Sequence, residues 1–308
     1  MFFLLSVYSL QIQFIFTISF VDYIYMNILI IAENTLKDII FLEPAIREVK
    51  NKFNNSCIYL ICQKRFSSIV NNWEFVDEKI MIPEDLGIFG EWTLISELRK
   101  IVFEKILDFR RNSSVFLRKT FLKYNDYFYK CKKTSLLFNE IYHDIMRNAQ
   151  INFLNTNIKW HFPIGHTCKL GKVKSPLIGI IPFSDKSNVK IEVFLYIVSE
   201  FIKKYNGSVV LFGNEKFKRQ SKAFDVFDSI FNLIGRHDYN DIAFVGQYCN
   251  LVAGVNSDFL YLSQIINKNT IMINNEDKPE FTGIFQLIND NIEKEIISRI
   301  DKILIQNQ

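Results

Sequence analysis

A chain of 308 residues is long enough for two domains with separate cores, and 49% apolar against 23% charged residues describes a globular protein, not a disordered or fibrous one. A net charge of +4 is too small to imply a nucleic-acid partner. The five cysteines, Cys57, Cys62, Cys131, Cys168 and Cys249, form no CxxC framework, which points to reduced thiols in a cytoplasmic protein and away from disulfides or zinc.

Residues 1–25 stand apart from the rest. No charged residue occurs from Phe2 to Val21, about the length that spans a bilayer, yet no basic stretch precedes it. Three readings stay open for this segment: an upstream extension without function, a membrane anchor, or an additional packed element. Met26 then opens "MNILIIAEN", which reads as the start of a domain with a buried strand.

From there strands and helices alternate. Asp38 to Phe53 is predicted as a helix, with Ile39, Leu42, Ile46, Val49 and Phe53 on one face and a kink or late start at Pro44. "CIYLIC" is the next strand, Phe66 to Val70 a helix, "EKIMI" and "KIVFEKILDF" further strands or strand-helix pairs, and Val115 to Gln150 mainly helical. Lys159 to Ser175, with Pro163, Gly165 and Gly171, reads as an inter-domain linker. Beyond it, "PLIGIIPF", "SVVLFG", "NLVAGV" and "NTIMI" are predicted strands. Val189–Tyr205, Glu215–Ile230, Asn240–Tyr248, Phe259–Asn267 and Phe285–Ile305 are predicted helices. Such alternation argues for α/β architecture with parallel sheets in two halves across a cleft. The boundaries are 26–172 for an N-terminal domain, 173–284 for a C-terminal domain, and 285–308 for a final helix packing back toward the N-terminal domain.

The chain contains no GxGxxG, no P-loop, no HExxH and no GxSxG, and its four histidines are not spaced for a metal. Polar residues instead cluster after predicted strands: Asn34, Thr35 and Asp38; Asp108, Arg110, Arg111 and Asn112; Ser184, Asp185, Lys186 and Ser187; Asn214 and Glu215; Asn256, Ser257 and Asp258. The carboxyl ends of strands are where open α/β sheets bind ligands. Asp38 taken alone reads as a helix N-cap. Lys186 suits phosphate neutralisation, and the helix after Ser257 offers amides to an anion.

Read in order, these segments resemble glycosyltransferase family 9, the ADP-heptose:lipopolysaccharide heptosyltransferases, from Met26 to about Ile305. "NILIIAENTLKDIIFLEPAIREVKNKF" is similar to the family's first strand, [ST]xxGD loop and TPAL-type helix. "KRFSSIVNNWEFVDEKIMI" resembles its second βα unit and "KILDFRRNSSVFLRK" its "DLrgn.rS" segment. "LIGIIPFSDKSNVKIEVF", "SVVLFGNE", "NLIGR" and "NLVAGVNSDFLYLSQIINKNTIMI" follow in the family's order.

The resemblance implies a GT-B fold of two Rossmann-like domains, acceptor on the N-terminal side and nucleotide sugar on the C-terminal side. It also implies inverting, metal-independent transfer without a cofactor, from ADP-heptose to a lipopolysaccharide or other surface-glycan acceptor. On this mapping Asp38 is the general base. Ser184, Lys186, Gly235, Arg236, Asn256, Ser257 and Asp258 are donor-side, with Lys186 offsetting charge on the leaving diphosphate. Thr35, Lys37, Arg111, Asn112 and Ser114 are acceptor-side. Lys37 stands where the family has glycine, and of its D[ST]GPxH signature only Ser257 is kept in Asn256–Tyr261. These departures support a second reading, a family relative without catalysis that binds or assembles. The basic stretch from Arg99 to Lys133 reads as a solvated face, or as a peripheral contact with a phosphorylated glycolipid or the inner membrane.

Overall fold

The structure, a computed structural model, describes residues 26–32, 35–110, 115–129, 144–151, 158–185, 187–235, 238–267, 269–273, 285–287 and 292–306. The expectation for residues 1–25 therefore lies outside the described residues. In the first half, strands β1 (Met26–Ile31), β2 (Ser56–Gln63), β3 (Glu78–Ile82), β4 (Val102–Asp108) and β5 (Lys123–Tyr129) form one parallel sheet, ordered β3-β2-β1-β4-β5. Helices α1 (Leu36–Lys52), α2 (Ser67–Val70), α3 (Gly87–Leu98) and α4 (Val115–Phe121) join them. Along β1, Ile28 and Ile30 enter the core shared with α1, while Leu29 and Ile31 enter the core shared with α3. Alternate side chains are covered on both faces, which is why this strand reads as an unbroken apolar run.

The second half holds β6 (Leu177–Ile181), β7 (Ser208–Leu211), β8 (Ile230–Asn232), β9 (Leu251–Gly254), β10 (Thr270–Ile273) and β11 (Phe285–Leu287). All pair in parallel, in the order β11-β10-β9-β6-β7-β8, with helices α5 (Ile191–Tyr205), α6 (Tyr239–Gly246), α7 (Asp258–Ile266) and α8 (Ile292–Gln306). Counted from the first strand of this half, that is the doubly wound Rossmann order. The order reverses between β1 and β4 in one half and between β6 and β9 in the other, so each half has a switch point at the carboxyl end of its sheet. At the second one the strands are pressed together: a Cβ on Gly254 would lie 2.4 Å from Cβ of Ile181.

Three expectations are corrected. Within Val115–Gln150, expected to be mainly helical, α4 ends at Phe121 and β5 follows as an edge strand whose half-exposed pattern of tyrosines and charges hides its period of two; residues 130–143 lie outside the described residues. Glu215–Ile230 is not a helix but two short 3-10 turns, Glu215–Phe217 and Gln220–Phe224, leading into β8. Phe285–Leu287 is strand β11, so the last helix starts at Ile292. That helix packs on α5, where Lys204 bonds Asp301 at 2.6 Å and Tyr205 donates to the same carboxylate. Pro44 lies inside α1, which continues from Leu36 to Lys52.

The halves meet with their carboxyl ends toward each other. Helix α1, leaving β1, packs on α7, leaving β9; α2, leaving β2, packs on α6. At the second contact Asn240 Nδ2 donates to the Ser68 carbonyl at 2.8 Å, and the Phe66 and Tyr239 rings stack 6.3 Å apart. Residues 158–176 form the connection and carry no helix or strand. It touches both halves. His161 Nε2 lies 3.0 Å from Glu43 Oε1 on α1, and His166 Nε2 lies 3.3 Å from Asp241 Oδ1 on α6. Glu43 is 1% exposed, receives the Lys159 amide at 3.1 Å and forms an ion pair with Arg47, whose Nε lies 3.1 Å away, so its charge is matched inside the core.

Candidate active site at the facing switch points

The sequence Thr35-Leu-Lys-Asp38 builds the head of α1. Thr35 is the N-cap, and its Oγ1 accepts from the Asp38 amide at 3.2 Å. The same hydroxyl donates to Asp38 Oδ2 at 2.6 Å. Asp38 is thus the third helical residue and not the cap; the helix begins two residues before the expected start because a threonine three places ahead of the acid satisfies the first amides. Its carboxylate is 7% exposed and sits at the positive end of the helix, where negative charge is favoured.

Lys37, expected on the acceptor side, reaches the other half: its Nζ lies 5.1 Å from the ring centroid of Tyr261 on α7. Across the crevice Ser257 caps α7, accepting from the Leu260 amide at 3.3 Å, and Asp258 occupies the first turn on the surface. Burial raises the pKa of Tyr239, and the nearby Asp258 charge raises it further. Asn256 lies two residues past the end of β9, half-buried.

Beyond β6 a pocket of about 280 Å³ is lined by Ser184 and Ser187, with Phe183 and Phe217 forming its aromatic wall. The two rings stack at 5.5 Å, so Phe183 is turned onto the first 3-10 turn. The Ser187 hydroxyl accepts from the Val189 amide at 3.1 Å. Lys190, which no sequence motif marked, holds the N-cap position of α5 without a side-chain cap bond, between the pocket-lining Val189 and Ile191, and is exposed. Gly235 lies off β8, three strands along the sheet from β9. With φ of +64° and only 2.6 Å between a would-be Cβ and Glu215 Cα, it serves the close approach of two turns. Lys186, Arg236, Arg111, Asn112 and Ser114 lie outside the described residues.

At the carboxyl end of β4 sits a buried network that sequence reasoning missed. Arg118 donates to Asp108 and, at 2.6 Å, to Glu91; Tyr127 donates to Asp108 at 2.6 Å; the Arg110 amide donates to Asp108 at 3.0 Å. Asp108 and Arg118 are both fully buried. Burial and the Asp108 charge push Tyr127 well above the usual phenol range, so it remains a neutral donor. Burial outweighs its neighbours at Arg110 and draws its pKa down, with the Arg118 charge adding to the effect. The two carboxylates face two guanidinium groups.

The thiols are free, as expected, at Cys57, Cys62, Cys168 and Cys249; Cys131 lies outside the described residues. Burial pushes Cys62 and Cys249 up to about 12, which disfavours thiolate chemistry there. Among the described residues no three His, Cys, Asp or Glu side chains are grouped to hold a metal ion, and no helix is long and apolar enough to cross a membrane.

No protein-family model and no curated protein sequence matches this chain. Solved structures do. The glycosyl transferase family 9 protein of Veillonella parvula is similar over 94% of this chain and 100% of its own, with a TM-score of 0.74 at 13% identity. The ADP-heptose lipopolysaccharide heptosyltransferase II of E. coli aligns over 92% and 99%, with a TM-score of 0.69 at 17% identity. The E. coli heptosyltransferase WaaC, solved with ADP, aligns over 90% and 100%, with a TM-score of 0.70 at 10% identity. What these likenesses establish is the fold: the chain is a GT-B-like α/β protein of two facing Rossmann-like halves.

Proposed function

We propose that the chain is a glycosyltransferase that moves a sugar, heptose first among candidates, from a nucleotide diphosphate to a lipopolysaccharide or other surface-glycan hydroxyl, with inversion and without a metal. The observation that carries this reading is Asp38, a buried carboxylate oriented by Thr35 at the carboxyl end of β1, with the second half packed directly opposite. A carboxylate so placed can take the proton of an attacking hydroxyl, and fixing its orientation beforehand lowers the cost of reaching the transition state. The pocket beside Ser184 and the heads of α5 and α7 offer hydroxyls and amides to an anionic donor, with Lys190 described at the edge and Lys186 and Arg236 as the further donor-side cations. The solved neighbours include WaaC with ADP-2-deoxy-2-fluoro heptose, which makes ADP-heptose the first donor to try. The acceptor side falls to Thr35, Arg111, Asn112 and Ser114. Within the basic stretch from Arg99 to Lys133, Arg110 and Arg118 are buried in the Asp108 network, which leaves the exposed Arg99, Lys100, Lys119 and Lys123 for a peripheral contact with an anionic glycolipid.

A second reading, a binding or assembly protein without catalysis, draws on one feature. Asp258 adds negative charge at the helix head meant for a diphosphate. Thermal unfolding with millimolar ADP-heptose and a panel of other nucleotide sugars separates the two. A raised midpoint with at least one sugar nucleotide is expected. No shift with any of them contradicts the transferase reading.

A further inference from the structure

A lysine at the second position of a helix is poorly placed, because the positive end of the macrodipole disfavours a cation. Lys37 holds that position in α1, directly beside Asp38. Its ammonium rests instead on the face of Tyr261, 5.1 Å from the centroid, on the far side of the junction. Tyr261 is buried, on the first turns of the helix that Ser257 and Asp258 begin. A residue that breaks a local preference while making a contact across two domains is a candidate for a role the domain alone does not require.

Two contacts between the halves lie at different distances from the candidate base. At α2 and α6 the tie is an amide bonded to a carbonyl and a pair of stacked rings, with Arg65 over the Phe66 ring at 4.8 Å. At α1 and α7 a cation on an aromatic face stands next to the candidate base on one side and the donor-side helix head on the other. Loosening the first tie would alter the general set of the halves. Loosening the second would move Asp38 relative to Ser257 and Asp258.

Resting on the transferase reading above, we propose that Lys37 is a positioning residue and not an acceptor ligand: by gripping Tyr261 it sets the separation between the Asp38 carboxylate and the bound donor. Misplacing reacting groups by about 1 Å costs on the order of a hundredfold in rate, so a partial loosening is expected to cost about tenfold.

The test is a double-variant cycle on the full chain, with Lys37→Met to keep the stem without the charge and Tyr261→Leu to remove the ring. Each single variant is expected to lower kcat for transfer about tenfold while the Kd for the donor stays within about twofold, and the double variant falls no further than the worse single one. Lys37→Arg and Tyr261→Phe are expected to recover most of the loss, because a guanidinium still stacks and a phenyl face still attracts a cation. Losses that multiply in the double variant, or a Lys37→Met effect carried by the donor Kd, overturn the proposal. The contact is also tested without any sugar: the thermal midpoints of the same four proteins are expected to be non-additive, and additive shifts overturn it. Absence of donor binding by the wild-type chain sinks the transferase reading and this positioning role with it, while the thermal cycle still decides the contact.

Discussion

The Thr35 hydroxyl both donates to the Asp38 carboxylate, at 2.6 Å, and accepts from the Asp38 amide, at 3.2 Å. One side chain therefore starts the helix and fixes the orientation of the acid. Thr35→Ala is expected to cost about 1 kcal/mol in urea unfolding, the usual value of a lost N-cap. It should also slow transfer by releasing the carboxylate. Thr35→Ser keeps the hydroxyl, and should restore both quantities together.

Arg118 is fully buried between Asp108 and Glu91. Removing it leaves two carboxylates in the core without their shared cation. Arg118→Met is expected to destabilise the fold by about 3–5 kcal/mol, read from the shift of the denaturation midpoint at unchanged slope. An effect below about 1 kcal/mol would mean the network is worth no more than a surface pair.

Gly235 has φ of +64° and sits against the backbone of Glu215. Gly235→Ala combines an unfavoured backbone region with a backbone clash, and is expected to cost about 1–3 kcal/mol in the same measurement. Gly165 also has positive φ but meets nothing within 4 Å, so Gly165→Ala should cost less.

Asp301 ties the last helix to α5. Burial draws its pKa upward, but the bonds from Lys204 and Tyr205 outweigh that and hold it below the ordinary 3.8. A carboxyl depressed in the fold contributes stability that is present above its unfolded pKa and lost as pH falls through the folded one. The midpoint of Asp301→Asn should lie below wild type at neutral pH, and the gap should close in acid as pH falls through the lowered folded pKa and the wild-type group protonates. A gap that persists in acid would assign the effect to packing.

The strands legible in the sequence are mostly those buried on both faces, where composition alone carries the signal: β1, β2, β6, β9 and β10 read as apolar runs. The misread β5, β8 and β11 all lie at sheet edges, where pairing with one neighbour, not a distinctive pattern, makes the strand. The placement of Asp38 at a switch point was legible because it follows the first strand. The Thr35-x-x-Asp38 capping signal is also present in the sequence, although Asp38 taken alone reads as the cap itself. The Glu91–Arg118 bond and the Lys37–Tyr261 contact join residues far apart in the chain through tertiary packing, and neither leaves a local trace.

The central claim is that Asp38 takes the acceptor proton in sugar transfer. It is tested most directly by following sugar release from ADP-heptose to a lipopolysaccharide-core acceptor with wild type and Asp38→Asn, alongside donor affinity by calorimetry. The expected result is loss of transfer by about a hundredfold or more, the scale of general-base catalysis, with the donor Kd unchanged. An Asp38→Asn protein that transfers at the wild-type rate would contradict the account.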